Sequence, residues 1–255
     1  MAQGTALITG ASGGIGAELA KLCAADGYDV VLVARGAAAL EALAGTLARQ
    51  HGIRARALTA DLADPAALQA LFEQMRDTPI EIVVNNAGFG LRGAFAETDW
   101  AVEARMIQVN VTALAHLCKL FLPPMIARRS GRILNVASTA TFVPGPFMAV
   151  YYASKAFVLS FSEALANEAA GTGVTVTVVC PGPTRTGFSE AAGTTGTNLF
   201  RGPTMAAADV AREAYDAMMA GRRERIAGAR NRWVMRAARL APRAMLAGIT
   251  RRLNS

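Results

Sequence analysis

Sulfur and imidazole are scarce in this 255-residue chain, which has three cysteines (Cys23, Cys118, Cys180) and two histidines (His51, His116). None of them sits at metal-ligand spacing from another, so no metal site is expected. Neither histidine has a close partner for a nucleophile triad, so both are expected to be structural or exposed. Cys180 has no adjacent base and is expected in the core, and the thiols are expected to be free and buried. An odd, scattered cysteine count excludes a disulfide framework and fits a reducing cytoplasm. The opening "MAQGTALITG" lacks the charged n-region and long apolar run of a signal peptide. No uncharged run has the length of a membrane span. Repeats and low-complexity boundaries are missing from the body of the chain. What remains, 53% hydrophobic and 18% charged, is the composition of one globular domain large enough to bury a substantial core.

Acidic residues are missing from one place in particular. Up to Gly221 the chain carries 16 basic and 18 acidic residues, a net of −2. From Arg222 onward ten arginines accompany Glu224 alone, a net of +9. The excess charge belongs to the tail, and a division into residues 1–228 and a basic amphipathic extension, 229–255, is expected.

Six short β-branched runs punctuate the body: "TALITG", "DVVLVAR", "IRARALTA", "IEIVVNN", "GRILNVAS" and "VTVTVVCPG". Each suits a strand buried on both faces. Between them lie alanine- and leucine-rich segments with helical spacing, several closing on glycine. Strand and helix alternate, which predicts an α/β fold: a doubly wound parallel sheet covered by helices on both sides. Such sheets bind ligands beyond the carboxyl ends of their strands, where strand order reverses. Those ends read Thr9-Gly10, Ala34-Arg35, Asp61-Leu62, Asn85-Asn86-Ala87-Gly88, Ser138 and Pro181-Gly182.

"TGASGGIG", Thr9 to Gly16, follows the first strand and enters the first helix. Gly10 suits a tight turn, Gly14 a close approach to a pyrophosphate, and Gly16 close helix–strand packing. The helix N-terminus offers free N–H groups to phosphates. With Ser12 and Ile15, these residues form a candidate dinucleotide loop of the Rossmann type.

The next motif, "YYASK", holds Tyr151, Tyr152 and Lys155 together. Helical neighbours lie three and four positions apart, so Lys155 can stand beside either phenol. An ammonium next to a phenol favours phenolate and lowers a pKa that is otherwise near ~10, bringing proton transfer within reach of neutral pH. Ser138 ends the strand that precedes this helix. Asn110, in "MIQVNVTALAHL", is a polar residue inside an apolar helix whose amide needs partners.

The glycine spacing G-x-x-x-G-x-G, with these motifs in this order, resembles the short-chain dehydrogenase/reductase family in its compact branch, over residues 4–220. The resemblance selects Tyr151 as the catalytic phenol, through the pattern Y-x-x-x-K, and leaves Tyr152 as a packing or pocket-wall residue. It implies a catalytic set of Asn110, Ser138, Tyr151 and Lys155. In it Ser138 holds the substrate oxygen, Lys155 also reaches the nicotinamide ribose, and Asn110 supports a proton-relaying water. It further implies that Asp61 and Leu62 flank an adenine and that Asn86-Ala87-Gly88 lines the cofactor. Pro181-Gly182 would lie beside the nicotinamide, with Thr184 and Thr186 at its carboxamide and the phosphates.

The choice of nicotinamide is expected from the end of the second strand. A carboxylate there would take the ribose hydroxyls of NAD. This chain has none until Glu41, and Arg35 can pair with a 2′-phosphate, so NADP(H) is preferred over NAD(H).

The segment from Phe188 to Met205, glycine- and threonine-rich, suggests a mobile substrate lid. Phe89, Phe142, Val143, Phe147, Phe188, Leu199 and Phe200 fall on nearby loops, with Phe142, Phe147 and Phe188 as the leading pocket residues. They suggest an apolar substrate, and the expected activity is hydride exchange between NADPH and a ketone or aldehyde. A catalytically silent nucleotide sensor on the same fold is the alternative. A sugar-nucleotide epimerase is disfavoured by the want of a further substrate domain. A homodimer or homotetramer in the cytoplasm is expected.

In the tail, Arg232, Arg236, Arg239 and Arg243 recur at steps of four, three and four as one basic stripe. Trp233, Ala237 and Leu240 form an apolar line, which Met245, Ile249 and Leu253 resume after Pro242. Pro242 suits the start of a second helix. An arm on the body or on a sister subunit is one expectation, and peripheral contact with an anionic membrane is another. Nucleic acid is not expected, for want of a reading motif and stacking aromatics.

Overall fold

The computed structural model describes residues 3–255. Its strands are β1 (Thr5–Thr9), β2 (Asp29–Ala34), β3 (Ala55–Thr59), β4 (Ile80–Asn85), β5 (Gly131–Val136), β6 (Val174–Cys180), β7 (Thr184–Arg185), β8 (Met205–Ala206) and β9 (Glu224–Ile226). Seven of them form a parallel sheet in the order β3-β2-β1-β4-β5-β6-β9, and β7 pairs with β8 alone. The six β-branched runs are β1 to β6. β9 escapes a reading of pattern because its three residues include Glu224 and Arg225.

Side chains alternate across a strand, and β1, β2, β4, β5 and β6 are buried on both faces. β3, at the sheet edge with Arg56 and Thr59 exposed, departs from the expectation of two buried faces because no strand covers its outer side. Leu7, Val83 and Ile133 enter one core layer, with Leu117, Phe121 and Val158 of the covering helices. Their neighbours Ile8, Ile82 and Leu134 enter the opposite layer, with Leu19, Leu40 and Val210. The helices are α1 (Gly14–Ala25), α2 (Ala37–His51), α3 (Pro65–Met75), α4 (Trp100–Ile107), α5 (Leu114–Ala127), α6 (Ala149–Glu168), α7 (Phe188–Ala191), α8 (Asn198–Arg201), α9 (Ala207–Met219), α10 (Ala229–Ala238) and α11 (Arg243–Asn254). Asp64 and Asp99 cap α3 and α4 by accepting from Ala66 N (2.9 Å) and Ala101 N (2.9 Å).

A π-helical turn, Gln108–Ala113, joins α4 to α5. The continuous segment Trp100–Ala127 is long and apolar enough to cross a membrane by composition, yet Leu114, Leu117, Phe121 and Met125 belong to the core. Strand order reverses at β1, whose neighbours are β2 on one side and β4 on the other. This is the crevice the sequence pointed to.

The 188–205 segment is tied at its base by the pairs Thr184↔Met205 and Arg185↔Ala206, and folds into the single turns α7 and α8. The tail forms two helices, α11 beginning just after Pro242. Its arginines do not make one free stripe. Arg232 Nη1 bonds Glu213 (3.0 Å) and the Ile226 carbonyl (3.1 Å), and Arg239 Nη2 bonds Glu224 (3.1 Å), so both turn toward the body of the same chain. Arg236 instead lies over the Trp233 ring, 5.9 Å from its centroid.

Candidate active site

A cavity of about 920 Å³ opens at the carboxyl ends of the strands. Its floor is the glycine turn. Gly10 has φ +66°, and a Cβ on Gly16 would stand 2.4 Å from the Gly10 carbonyl oxygen, so the first turn of α1 closes tightly on the end of β1. Asn86 locks the same turn by donating from Nδ2 to Thr9 O (3.0 Å) and Gly10 O (3.2 Å). Thr9 completes the knot, its Oγ1 accepting from the amides of Asn86 (3.0 Å) and Ala87 (3.1 Å). These bonds hold the β1 and β4 ends together across the crevice.

Gly10, Ser12, Gly14, Ile15, Arg35, Asp61, Leu62, Asn86, Ala87 and Gly88 line one end of the cavity, and Pro181, Gly182, Thr184 and Thr186 continue the wall. Gly16 lies just beneath. Among the described residues Arg35 makes no ion pair. Asp61 is engaged differently: it accepts from Ala63 N (3.0 Å) and pairs with Arg105 Nη2 (2.9 Å). The Ala63 amide, then Arg105 and Arg35, hold its carboxyl below the usual range. Arg105 lines the cavity too. It stands 44 positions from Asp61, and no local pattern announces it.

At the other end Ser138, Tyr151 and Lys155 meet. Ser138 ends the run after β5, and Tyr151 and Lys155 lie one turn apart on α6. Ser138 Oγ accepts from Ala140 N (3.1 Å) and donates to the Pro181 carbonyl (3.4 Å). Lys155 Nζ donates to the Val136 carbonyl (2.9 Å) and sits 5.9 Å from the Tyr151 ring centroid.

The expected effect of the lysine on the phenol is not what dominates. Burial pushes the Tyr151 hydroxyl above its ordinary range, and the polar Ser138 side chain near it offsets only part of that rise. Burial also pulls the Lys155 ammonium down to about 8. Both groups are almost wholly enclosed, and the ammonium's hydrogen bond goes to the Val136 carbonyl and not to the phenol. Tyr151 therefore stays protonated near neutral pH, as a proton donor.

Tyr152 is buried beside Tyr151, its ring edge-on at 6.0 Å, and also lines the cavity; its hydroxyl donates to Asn254 Oδ1 (3.2 Å). Asn110 lies in the π-helical turn and does not line the cavity. Its Oδ1 accepts from Phe89 N (3.1 Å), and its Nδ2 donates to Phe89 O (2.9 Å) and Ser154 Oγ (3.1 Å). The amide is thus satisfied by the strand-end loop, which it fixes beside Gly88.

Of the three leading phenylalanines, Phe188 lines the cavity, with its ring 5.3 Å from that of Tyr151. Phe142 and Phe147 do not line it. Phe142 packs against the core under the Arg239 guanidinium (4.9 Å), and Phe147 lies under Arg251 (4.7 Å). Phe89, Val143, Leu199 and Phe200 do line it. So do residues of the tail: Val234, Met235 and Ala238 of α10, and Met245, Leu246, Ile249, Thr250 and Leu253 of α11. The apolar line of α11 is visible in the sequence, but not what it covers. Among the described residues, Lys155 is the charged side chain that lines this half of the cavity.

Comparison with known proteins gives the same frame. The model of a family described as short chain dehydrogenase matches residues 4–196. The ketoacyl reductase HetN of Nostoc sp. is 38% identical over 180 residues, 70% of this chain and 62% of that protein, so the match spans less than two thirds of that relative. The solved short-chain dehydrogenase from Sphingobium yanoikuyae in complex with NADPH is 35% identical, with a TM-score of 0.84 over 93% of this chain and 94% of that one. The bulky-bulky ketone specific alcohol dehydrogenase from Comamonas testosteroni is 30% identical, with a TM-score of 0.81 over 94% and 93%.

Proposed function

The chain belongs to the short-chain dehydrogenase family, and within it we propose an NADPH-dependent reductase of apolar ketones or aldehydes. The observation that carries this reading is the meeting of Ser138, Tyr151 and Lys155 in one cavity with the glycine turn. The turn fits a dinucleotide: its glycines leave a cradle that a Cβ on Gly14 would narrow to 3.0 Å from Thr186. Gly10, Ser12, Gly14, Ile15 and Gly16 would hold the phosphates, and Asp61 and Leu62 the adenine. Lys155 would take the nicotinamide ribose, while Pro181, Gly182, Thr184 and Thr186 would flank the nicotinamide. Arg35 would pair with a 2′-phosphate. When bound, this cofactor supplies hydride to a carbonyl carbon.

The chain's own residues handle the oxygen. Ser138 hydrogen-bonds it and Tyr151 gives it a proton. A phenol kept protonated by burial suits that direction, because an alkoxide is far more basic than a phenolate. Asn110 would help supply Lys155 with protons by way of the loop it fixes. The substrate half of the cavity, lined by Phe188, Phe200, Met245 and Ile249 among others, favours a neutral apolar compound. Both solved neighbours described above support this reading: one is described with NADPH and the other as acting on bulky ketones. No observation favours the silent-sensor alternative.

The proposed setting is a cytoplasmic homodimer or homotetramer that touches anionic membrane through its tail. In support, Trp233 on α10 is 72% exposed and Leu240 in the turn after it 89%, in a tail without acidic residues. Sedimentation and binding to acidic vesicles at low salt test these two points.

The activity is tested by NADPH oxidation over a panel of aliphatic, aryl and polycyclic ketones. Turnover of an apolar ketone is expected, with Tyr151→Phe losing it while still binding NADPH and Tyr152→Phe keeping most of the rate. A panel without turnover, or Tyr152→Phe as the dead variant, would refute the reading.

A further inference from the structure

The penultimate residue of the chain is one of its most enclosed polar groups, Asn254 being 1% exposed. All of its hydrogen-bonding functions but the amide N–H are directed at other elements. Its Nδ2 donates to the Pro146 carbonyl (2.9 Å), its Oδ1 accepts from the Tyr152 hydroxyl (3.2 Å), and its own carbonyl accepts from Arg92 Nε (2.6 Å). A helix end ordinarily frays. This one is tied to three separate segments around the substrate half of the cavity.

The rest of α11 follows from that tie. Leu246, Thr250 and Asn254, four residues apart, are its buried positions, so one face is inward. Met245, Ile249 and Leu253 lie beside that face and line the cavity, although each remains 37–52% exposed. Side chains so open to water contribute little anchoring of their own. The wall they form is held by the buried Leu246 and Thr250 along its inner face, by Asn254 at its end, and by Asn198 Nδ2 on the Arg252 carbonyl (2.9 Å).

We propose that Asn254 is a positioning residue: by latching α11 to Tyr152, Pro146 and Arg92 it sets the outer wall of the substrate site, and so selects bulky apolar ketones. The proposal rests on the ketone-reductase reading for its substrate and on geometry alone for the latch. Tyr152 then has a function of its own. Beside the catalytic phenol, it ties the wall to α6 and takes no part in proton transfer.

The test compares wild type with Asn254→Ala. Hydrogen exchange over residues 243–254 should accelerate about tenfold or more, since two buried hydrogen bonds are lost. With NADPH saturating, KM for a two-ring aryl ketone should rise about tenfold, but for cyclohexanone about twofold at most. Tyr152→Phe, which removes one of the two bonds, should move exchange and the aryl-ketone KM the same way by a smaller factor. It carries the test alone if Asn254→Ala does not fold. Unaltered exchange in α11, or equal KM increases for both ketones, overturns the proposal. A wild type that reduces neither ketone defeats the reductase reading instead, and the exchange measurement still decides the latch.

Discussion

Gly16→Ala puts one methyl group where the structure has no room. A Cβ there would lie 2.4 Å from the Gly10 oxygen and 2.5 Å from Asn86 Nδ2, both parts of the knot that ties β1 to β4. Ordinary contact begins about 1 Å farther out, so either the turn moves by about that much or α1 does. Moving Gly10 also strains the Asn86 bonds at 3.0 and 3.2 Å. Overpacking of this kind costs about 1–3 kcal/mol. In a domain of this size each kcal/mol lowers the melting midpoint by about 2–4 °C, giving a drop of about 2–12 °C. The displaced turn would cradle the phosphates, so kcat/KM should fall about 10²-fold as well. The control is Gly13→Ala, whose added Cβ meets nothing within 4 Å and whose backbone is extended. Its melting midpoint should stay put. Differential scanning fluorimetry without cofactor separates the two variants. Equal melting midpoints for Gly16→Ala and wild type would refute the claim that this contact fixes the loop.

Arg35→Ala should weaken NADPH binding by about 1.5–3 kcal/mol, the loss of a charged hydrogen bond, and NADH binding far less. Fluorescence titration of both cofactors decides it, and equal losses would remove Arg35 from the 2′-phosphate site. The rate of ketone reduction should depend on pH through Lys155. Burial lowers its pKa to about 8, so the ammonium is mostly present at neutral pH and is lost as pH rises through that value. Burial moves Tyr151 upward, so the phenol stays a donor across the same window. Thus kcat/KM should fall above about pH 8, and a profile flat to about pH 9.5 would show that the Lys155 charge is not needed.

How much of this was legible in the sequence depends on how far apart the partners lie. β2, β4, β5 and β6 are runs rich in β-branched residues on both faces, a signal contained in six or seven positions, while β3 (ARALT) carries that signal only at Thr59. The glycine turn and the Tyr151–Lys155 pair are equally local, fixed by spacings of two to four residues. Arg105 reaches Asp61, in the loop after β3, from α4, and nothing beside it in the sequence marks the pairing. The π-helical turn that carries Asn110 is hidden for a related reason: its residues are ordinary for an α-helix, and the amide's bonds to Phe89 and Ser154 come from other elements. Phe142 and Phe147 sit on the expected loops, but a loop address does not say which way a ring turns. Arginines from the tail claimed both rings.

The tail shows why a charge pattern is a poor guide to what a helix does. Counted along the chain, Arg232, Arg236 and Arg239 belong to one stripe, and a free basic stripe suggests an outside partner. In the fold, Arg232 and Arg239, seven residues and two turns apart, are spent on Glu213 and Glu224 of the same chain. Partly exposed pairs like these add little stability, about 0–1 kcal/mol each. Their consequence is geometric. With positions 232 and 239 held against the body, helical periodicity turns Val234 and Ala238 toward the cavity and leaves Trp233 and Leu240 outside. Two weak ion pairs thereby decide which side chains of α10 a substrate meets, and Pro242 then redirects the chain so that α11 supplies the next part of the same wall. The acids responsible lie on α9 and β9, in a stretch whose own sequence carries no sign of the site, so the wall appears only when the two segments are folded together.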